Sequence, residues 1–354
     1  MAQKELETVA GDELALASPG HVPGSLDQRG EIVAVLGEPG EESYRVRWPD
    51  GRETVVPAGV GQVVARGRAR RARPGSVLVL AGGGGATSAE LVRRWRLLGL
   101  PALLVPPATA SAVVRDGDTV VARLDVLPTL DGVEPGLLEL LWLERRGIRV
   151  LNRASTLLAV HDKLRTANVL RTAGLPHPRT AVVREGGRPP LEPPLVLKPR
   201  FGSWGRDVFR CRDQDELEVA LATARDRAWF HRHGALLQEL LPVAGRDLRL
   251  LVAGGEVVGA VERTAAPGEW RTNVSLGGSK RPVDPPRRAR ELATAAAEAM
   301  DGDLVGVDLL PLDGDYAVLE LNGAVDFDER YSTDGDLYLR LAQALGFADE
   351  RSTP

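Results

Sequence analysis

The chain of 354 residues has a single cysteine, Cys211, which excludes an internal disulfide and a cysteine-rich zinc site and suits a reducing compartment. It lacks an excess of either charge. With 45 Lys and Arg against 49 Asp and Glu, the formal net charge is −4, so a dedicated nucleic-acid binder is not expected. No run approaches the roughly 18 uninterrupted apolar residues of a membrane helix, and the opening MAQKELETVAGDELALASPG has no basic start followed by an apolar core. A cytoplasmic protein without a membrane partner is expected. What is present is an ordinary globular composition, 43% hydrophobic and 27% charged, long enough for two or three domains.

Residues 10–65 carry short β-type runs, ELALA, GEIVAVL, SYRVRW and ETVVP, separated by turn residues. Asp50-Gly51 between two of them signals a hairpin, because the tight turn needs positive φ. A small all-β module, a barrel or curled sheet, is expected over 1–65. Its Gly11-Asp12 and Val46-Arg47-Trp48-Pro49-Asp50-Gly51 resemble a small domain of unknown function found in actinobacterial proteins. ARGRARRARPG, with Arg66, Arg68, Arg70, Arg71 and Arg73 and no interleaved aromatic, reads as a solvated linker over 66–75. From 76 to 152 strand, glycine loop, helix and strand follow one another as in an α/β domain. Gly82 to Gly85 meet the dinucleotide fingerprint poorly and are expected to form a structural turn.

Helical patterns occupy 135–147 and 156–174, ended by Gly147 and Gly174. Beyond Pro178 the chain is β-rich, with helices expected over 213–228 and near 287–300. Cys211 is expected to be a small buried strand residue, and His231 and His233 to lie exposed in a polar connection.

The chemistry concentrates in a few stretches. In VGVDLLPLDGDYAVLELNG two apolar strands present Asp308 on the first and Glu320 and Asn322 on the second. Alternation puts Glu320 and Asn322 on one face and a hairpin can bring Asp308 opposite them, a hard oxygen set suited to Mg²⁺. GEWRTNVSLGGS places Arg271 and Asn273 two apart, so alternation aims a guanidinium and an amide at one face, fit for a phosphoryl group. Lys198 ends an apolar run, where an ammonium is costly without an anion at the strand end. Lys163, at a helix start, reads in isolation as a surface lysine. Gln238-Glu239 close another apolar strand, with Asp247 beyond a Pro/Gly crossover, a spacing that permits an adenine edge and a ribose contact.

In this order, with His161-Asp162-Lys163-Leu164, Leu197-Lys198-Pro199, the Gly202–Arg206 loop and Gly277-Gly278, these motifs resemble the ATP-grasp superfamily, and within it the RimK/LysX-type carboxylate–amine ligases. The resemblance covers about 76–347. It implies an α/β fold class: an α+β ATP-grasp domain over 153–350 with a lid near 180–240, a preceding Rossmann-like domain, and a small N-terminal SH3-like β-barrel. It implies that Lys163 and Lys198 contact ATP phosphates, that Gln238, Glu239 and Leu240 line the adenine pocket, and that Asp247 lies near the ribose. Arg271, Asn273 and Lys198 would serve the transferred phosphoryl group, while Asp308, Glu320 and Asn322 would hold two Mg²⁺ ions, with Mn²⁺ as a substitute.

The implied reaction joins a carboxylate to an amine through an acyl phosphate, with a small-molecule, peptide or protein acceptor; a glutamate-like substrate suits the resemblance. A non-catalytic ATP-binding regulator, a carboxylate kinase and a homo-oligomer remain open. Relatives usually carry an arginine just before the Gly-Gly pair, where this chain has Leu276. The stretch PLVLKPRFGSWGRDVF is not a Walker loop, since its lysine precedes the glycines and a strand resumes at Asp207. It is expected to be a β-hairpin lid, in which Gly202, Ser203, Trp204 and Gly205 close over the triphosphate.

Overall fold

The computed structural model describes residues 13–16, 28–36, 43–48, 50–57, 62–64, 78–82, 85–242 and 245–348. Gly11-Asp12, Pro49, the arginine run and Gly83-Gly84 lie outside them. The chain divides into two compact units, Met1–Ala122 with Gly136–Val150, and Arg123–Pro135 with Leu151–Pro354.

Within the first unit, β1 (Glu13–Leu16), β2 (Gln28–Leu36), β3 (Ser43–Arg47), β4 (Glu53–Pro57) and β5 (Gln62–Val64) form an antiparallel sheet of order β4-β3-β2-β1-β5. The Asp50-Gly51 turn joins β3 to β4, with Gly51 at φ 84°. Alternation buries Tyr44, Val46 and Trp48 against Ile32 and Val56. The α/β part runs β6 (Leu78–Gly82), α1 (Ala86–Leu97), β7 (Ala102–Val105), α2 (Ala110–Val113), β8 (Thr119–Arg123), α3 (Leu137–Arg145) and β9 (Arg149–Leu151), with sheet order β7-β6-β8-β9 and β6 parallel to β7.

The second unit opens with α4 (Ala154–His161) and α5 (Lys163–Thr172). The single helix expected over 156–174 breaks at Asp162, whose carboxylate accepts from the N–H groups of Leu164 and Arg165 and so starts a new helix. Then follow β10 (Thr180–Val183), β11 (Leu195–Pro199), β12 (Phe209–Cys211), α6 (Gln214–Arg225), α7 (Ala228–His233) and β13 (Ala235–Glu239), the strands in antiparallel order β10-β13-β11-β12. The HRH triplet therefore ends a helix and is no open connection. His231 is exposed, but His233 is half-buried, its Nε2 2.9 Å from the Asp131 carbonyl and its ring 5.0 Å from that of Phe201. Cys211 is fully buried on β12, as expected of a small strand residue.

The last sheet comprises β14 (Arg246–Ala253), β15 (Glu256–Thr264), β16 (Ser279–Pro282), β17 (Leu304–Leu312) and β18 (Asp315–Asn322), with α8 (Arg287–Ala299) between β16 and β17 and α9 (Leu337–Ala344) at the end. Its order is β16-β15-β14-β17-β18, antiparallel throughout. Leu292, Ala293 and Ala296 of α8 pack with Leu250, Val252, Val305 and Val307, covering one face and leaving the other for polar side chains. Residues 123–135 belong to this unit although they precede it in sequence: Val126 and Leu130 join the core under β11 and β13, and Arg123 donates to the Val325 carbonyl at 2.7 Å.

Candidate active site

A cavity of about 960 Å³, including its open mouth, is lined from both sheets of the second unit. Lys163, Lys198, Gly202, Ser203, Trp204, Gly205, Gln238, Glu239, Leu240, Asp247, Arg271, Asn273, Asp308 and Glu320 all line it. Asn322 does not.

The two lysines are placed by element ends. Lys198 sits at the penultimate position of β11, buried, its Nζ donating to Gln238 Oε1 at 2.7 Å on the adjacent strand. Burial pushes its ammonium down to about 8, with Glu320 opposing and Lys163 adding like-charge repulsion. Lys163 is not the surface lysine its local sequence suggests. As the first residue of α5 it is buried, donates to the Gly202 carbonyl at 2.8 Å and lies 3.1 Å from Glu320 Oε2.

The segment over 200–208 is a hairpin loop: β11 pairs with β12 from Leu195–Cys211 to Leu197–Phe209, so pairing resumes two residues later than Asp207. Trp204 and Asp207 adopt φ of 55° and 50°, a left-handed conformation that costs about 1–2 kcal/mol for each such residue. Contacts to the segment after β15 hold it: Arg271 Nη1 donates to the Gly205 carbonyl at 2.8 Å and Ser275 to the Trp204 carbonyl at 3.2 Å. Gly205 sits at φ 68°, which favours glycine, and a Cβ there would lie 2.8 Å from Asn273 Oδ1 and 3.0 Å from Leu276 Cδ1.

Arg271 and Asn273 stand in an irregular stretch before a short turn at Val274–Leu276, so strand alternation is not what brings them to the cavity. Glu269 chelates Arg271 from two residues upstream, at 3.1 and 2.7 Å, and that guanidinium holds the Glu269 carboxyl down to about 2.

The β17–β18 hairpin sets Asp308 directly opposite Glu320, with Asn322 facing Gly306 at the next same-face position. Adjacent buried carboxylates need positive charge. Asp308 receives two bonds of 2.6 Å from Arg249 and one of 2.7 Å from Arg263; burial alone would raise its carboxyl, yet these guanidiniums hold it well below the usual range. Burial acts likewise on Glu320, and Lys163 with Lys198 outweighs it and the repulsion from Asp308. Among the described residues no group of three His, Cys, Asp or Glu is placed to hold a metal ion, so a cation here relies on these two carboxylates plus an amide. The hard oxygen donors fit Mg²⁺ in kind, and Asn322 Nδ2 is buried without a hydrogen-bond partner among the described residues.

Asp247 and Gln238 line the cavity with side chains already engaged by protein partners. Both Asp247 oxygens accept from Arg263, and Oδ2 also from Thr272, while Gln238 spends its amide on Lys198 and on Thr180 at 3.0 Å. Leu240 donates its N–H to the Pro194 carbonyl at 3.2 Å. Sequence reasoning missed Arg249, Arg263, Glu269 and Thr272. The first two carried a readable signal, a charged residue inside an apolar strand, which is the argument that found Lys198.

The model of the RimK-like ATP-grasp domain matches residues 160–344, and that of a domain of unknown function, DUF1918, matches 6–64. The chain is 30% identical over 214 residues, 57% of its length and 72% of the relative's, to the coenzyme gamma-F420-2:alpha-L-glutamate ligase of Methanococcus maripaludis. It is 31% identical over 192 residues, 52% of its length and 68% of the relative's, to the glutamate–LysW ligase ArgX of Sulfurisphaera tokodaii. The solved RimK-domain ATP-grasp protein of Sphaerobacter thermophilus superposes with a TM-score of 0.56 at 21% identity, covering 76% of this chain and 99% of that one. No helix among the described residues is long and apolar enough to cross a membrane. With its cavity built from the two sheets of this fold and its family model spanning more than half its length, the chain belongs to the RimK-like ATP-grasp ligases, which use ATP and divalent metal ions to form carbon–nitrogen bonds.

Proposed function

We propose that the chain joins an amino acid of the glutamate type to the chain end of a peptide, carrier protein or peptide-like small molecule. The observation that carries this reading is the gathering of Lys163, Lys198, the Gly202–Gly205 loop, Arg271, Asn273, Asp308 and Glu320 around one cavity. A carboxylate oxygen attacks the γ-phosphorus of ATP, ADP departs and an acyl phosphate forms. The amine then attacks the acyl carbon, loses a proton, and the tetrahedral intermediate expels phosphate to leave the amide. Lys163 and Lys198 hold phosphate oxygens, Arg271 and Asn273 orient the transferred group, and the glycine loop keeps water away. Asp308, Glu320 and Asn322 would hold two Mg²⁺ ions, whose chemistry is neutralisation of phosphate charge. Val196, Leu240, Leu310 and Leu319 supply apolar walls for a purine. Leu276, in place of an arginine usual in relatives, points to a carboxylate substrate that differs from theirs.

ADP release measured over a panel of amino acids and peptides, with and without a second amine, tests the reading. Amide product is expected; nucleotide binding without turnover on any pair would sink it. Glu320→Ala should lower turnover by about a hundred- to a thousandfold, the scale of losing one preorganised electrostatic group, while the melting profile stays cooperative. An unchanged rate would refute the metal assignment.

A further inference from the structure

A run of short hydrogen bonds under the cavity ends on Asp308 but otherwise takes no part in the scheme above. Thr272, between Arg271 and Asn273, is buried and donates its hydroxyl to Asp247 Oδ2 at 2.6 Å. Arg263 grips Asp247 through Nε to Oδ1 at 2.8 Å and Nη2 to Oδ2 at 2.6 Å. The same Nη2 donates to Asp308 Oδ2 at 2.7 Å, and Arg249 closes the far end on Asp308. Three adjacent strands fix this run by register: Asp247 opposes Arg263 across β14 and β15, and Arg249 opposes Asp308 across β14 and β17. The residues between Thr264 and Ser279 have no such frame, since they leave the sheet between β15 and β16.

Regular backbone pairing therefore does not place Arg271 and Asn273, and Thr272 is the residue between them that reaches the sheet. Its link is charge-assisted, the strong kind, and a guanidinium that serves two carboxylates ties its other end to the metal-side carboxylate.

We propose that Thr272, Asp247 and Arg263 are positioning residues that hold the Arg271–Asn273 segment at a fixed distance from Asp308. The proposal rests on the reading above only in assigning Arg271 and Asn273 to the transferred phosphoryl group. A loop misplaced by even an ångström loses alignment in the transition state more than it loses ground-state binding.

The test uses the full-length chain with Thr272→Val, which keeps the shape and removes the hydroxyl, and Thr272→Ser, which keeps the hydroxyl. Amide hydrogen exchange of residues 271–277 is measured alone and with Mg²⁺ and ADP, beside kcat and KM for ATP. The valine variant should exchange about tenfold faster over 271–277, the change expected on losing a hydrogen bond to a charged group. Its kcat should fall about ten- to hundredfold with KM within about threefold, and serine should restore both. Unchanged exchange over 271–277, or failure of serine to restore it, overturns the proposal, as does a lower melting temperature with unchanged kcat. Should the wild-type chain form no amide with any substrate pair, the functional reading falls while the exchange measurement still decides the positioning role.

Discussion

Lys198 is the side chain whose environment most sharply limits its own chemistry. It is buried at a strand end, hydrogen-bonded to a neutral amide and without a salt bridge of its own among those described, so its ammonium falls to about 8 from 10.5. The sign follows from proton counting. Between about 8 and 10.5 the unfolded chain holds this proton and the folded chain does not, so the lysine's contribution to stability rises with pH across that window. Phosphate binding, which needs the charged form, moves the other way. Nucleotide affinity is expected to weaken as pH rises through about 8, approaching about tenfold per pH unit, while the melting temperature shows no matching loss. Titration calorimetry with ADP from pH 7 to 9.5 checks this, and Lys198→Arg, which cannot deprotonate there, should abolish the step. Parallel loss of affinity and stability would mean alkaline unfolding instead. The lysine was legible because a cation inside an apolar run demands a partner, and Glu320 because strand alternation fixes its face. Thr272 and Glu269 were not, since their roles depend on pairings reached only once the β15–β16 connection folds back on the sheet.

At the scale of elements, two short irregularities do what regular structure cannot. The break between α4 and α5 aims Lys163 into the cavity: Asp162 caps α5 with one oxygen and also takes two bonds, 2.7 and 2.6 Å, from Arg200 just beyond β11. The residues on either side of Asp162 continue a helical pattern, which is why the sequence reads as one helix; the cap and the long-range contacts to Arg200 together hold the break. Asp162→Ala removes a cap and strands a half-buried guanidinium, and should lower unfolding free energy by about 2 kcal/mol. Because Lys163 is then misaligned, nucleotide affinity should fall by up to the factor seen in a Lys163→Ala chain; denaturant melts beside ADP binding decide it. The second irregularity is the glycine loop, whose left-handed Trp204 is tied to the Arg271–Ser275 segment by its own and its neighbour's carbonyl. The indole lines the cavity with the Arg206 guanidinium 4.9 Å from its ring centre. If it shields the acyl phosphate from water, Trp204→Ala should raise ADP formed per amide formed without weakening ATP binding. An unchanged ratio returns Trp204 to packing.

At the scale of the whole molecule, the chemistry-bearing motifs and the N-terminal module follow different rules. The ATP-grasp part could be read in order along the chain where strand pairing fixes position, as for Lys198 on β11 and Asp308 opposite Glu320 across β17 and β18, but not for Lys163 or Arg271, whose local patterns do not show the cavity. What could not be read was the inclusion of residues 123–135 in that unit, since Val126 and Leu130 find their core more than fifty residues further on. The N-terminal sheet, by contrast, has a hydrophobic cluster drawn from its own residues. Its cluster of Ile32, Tyr44, Val46, Trp48 and Val56 draws on no residue outside 28–57 among those described, and its Trp48 indole is satisfied internally by Thr54 at 2.8 Å. Should the N-terminal sheet be a domain apart from the α/β part with which it shares a compact unit, it would fold without help and come away without opening another core. Deleting residues 1–64 is therefore expected to leave ATP turnover with a free amino acid as acceptor within about twofold of the full chain, the additivity of independent parts. If the module recognises a macromolecular acceptor, the same deletion should raise KM for that acceptor while kcat is held. Turnover on free amino acids and on a carrier or peptide pool, measured side by side for the two chains, separates these outcomes. Loss of turnover on free amino acids would make the module part of the catalytic unit and overturn its independence.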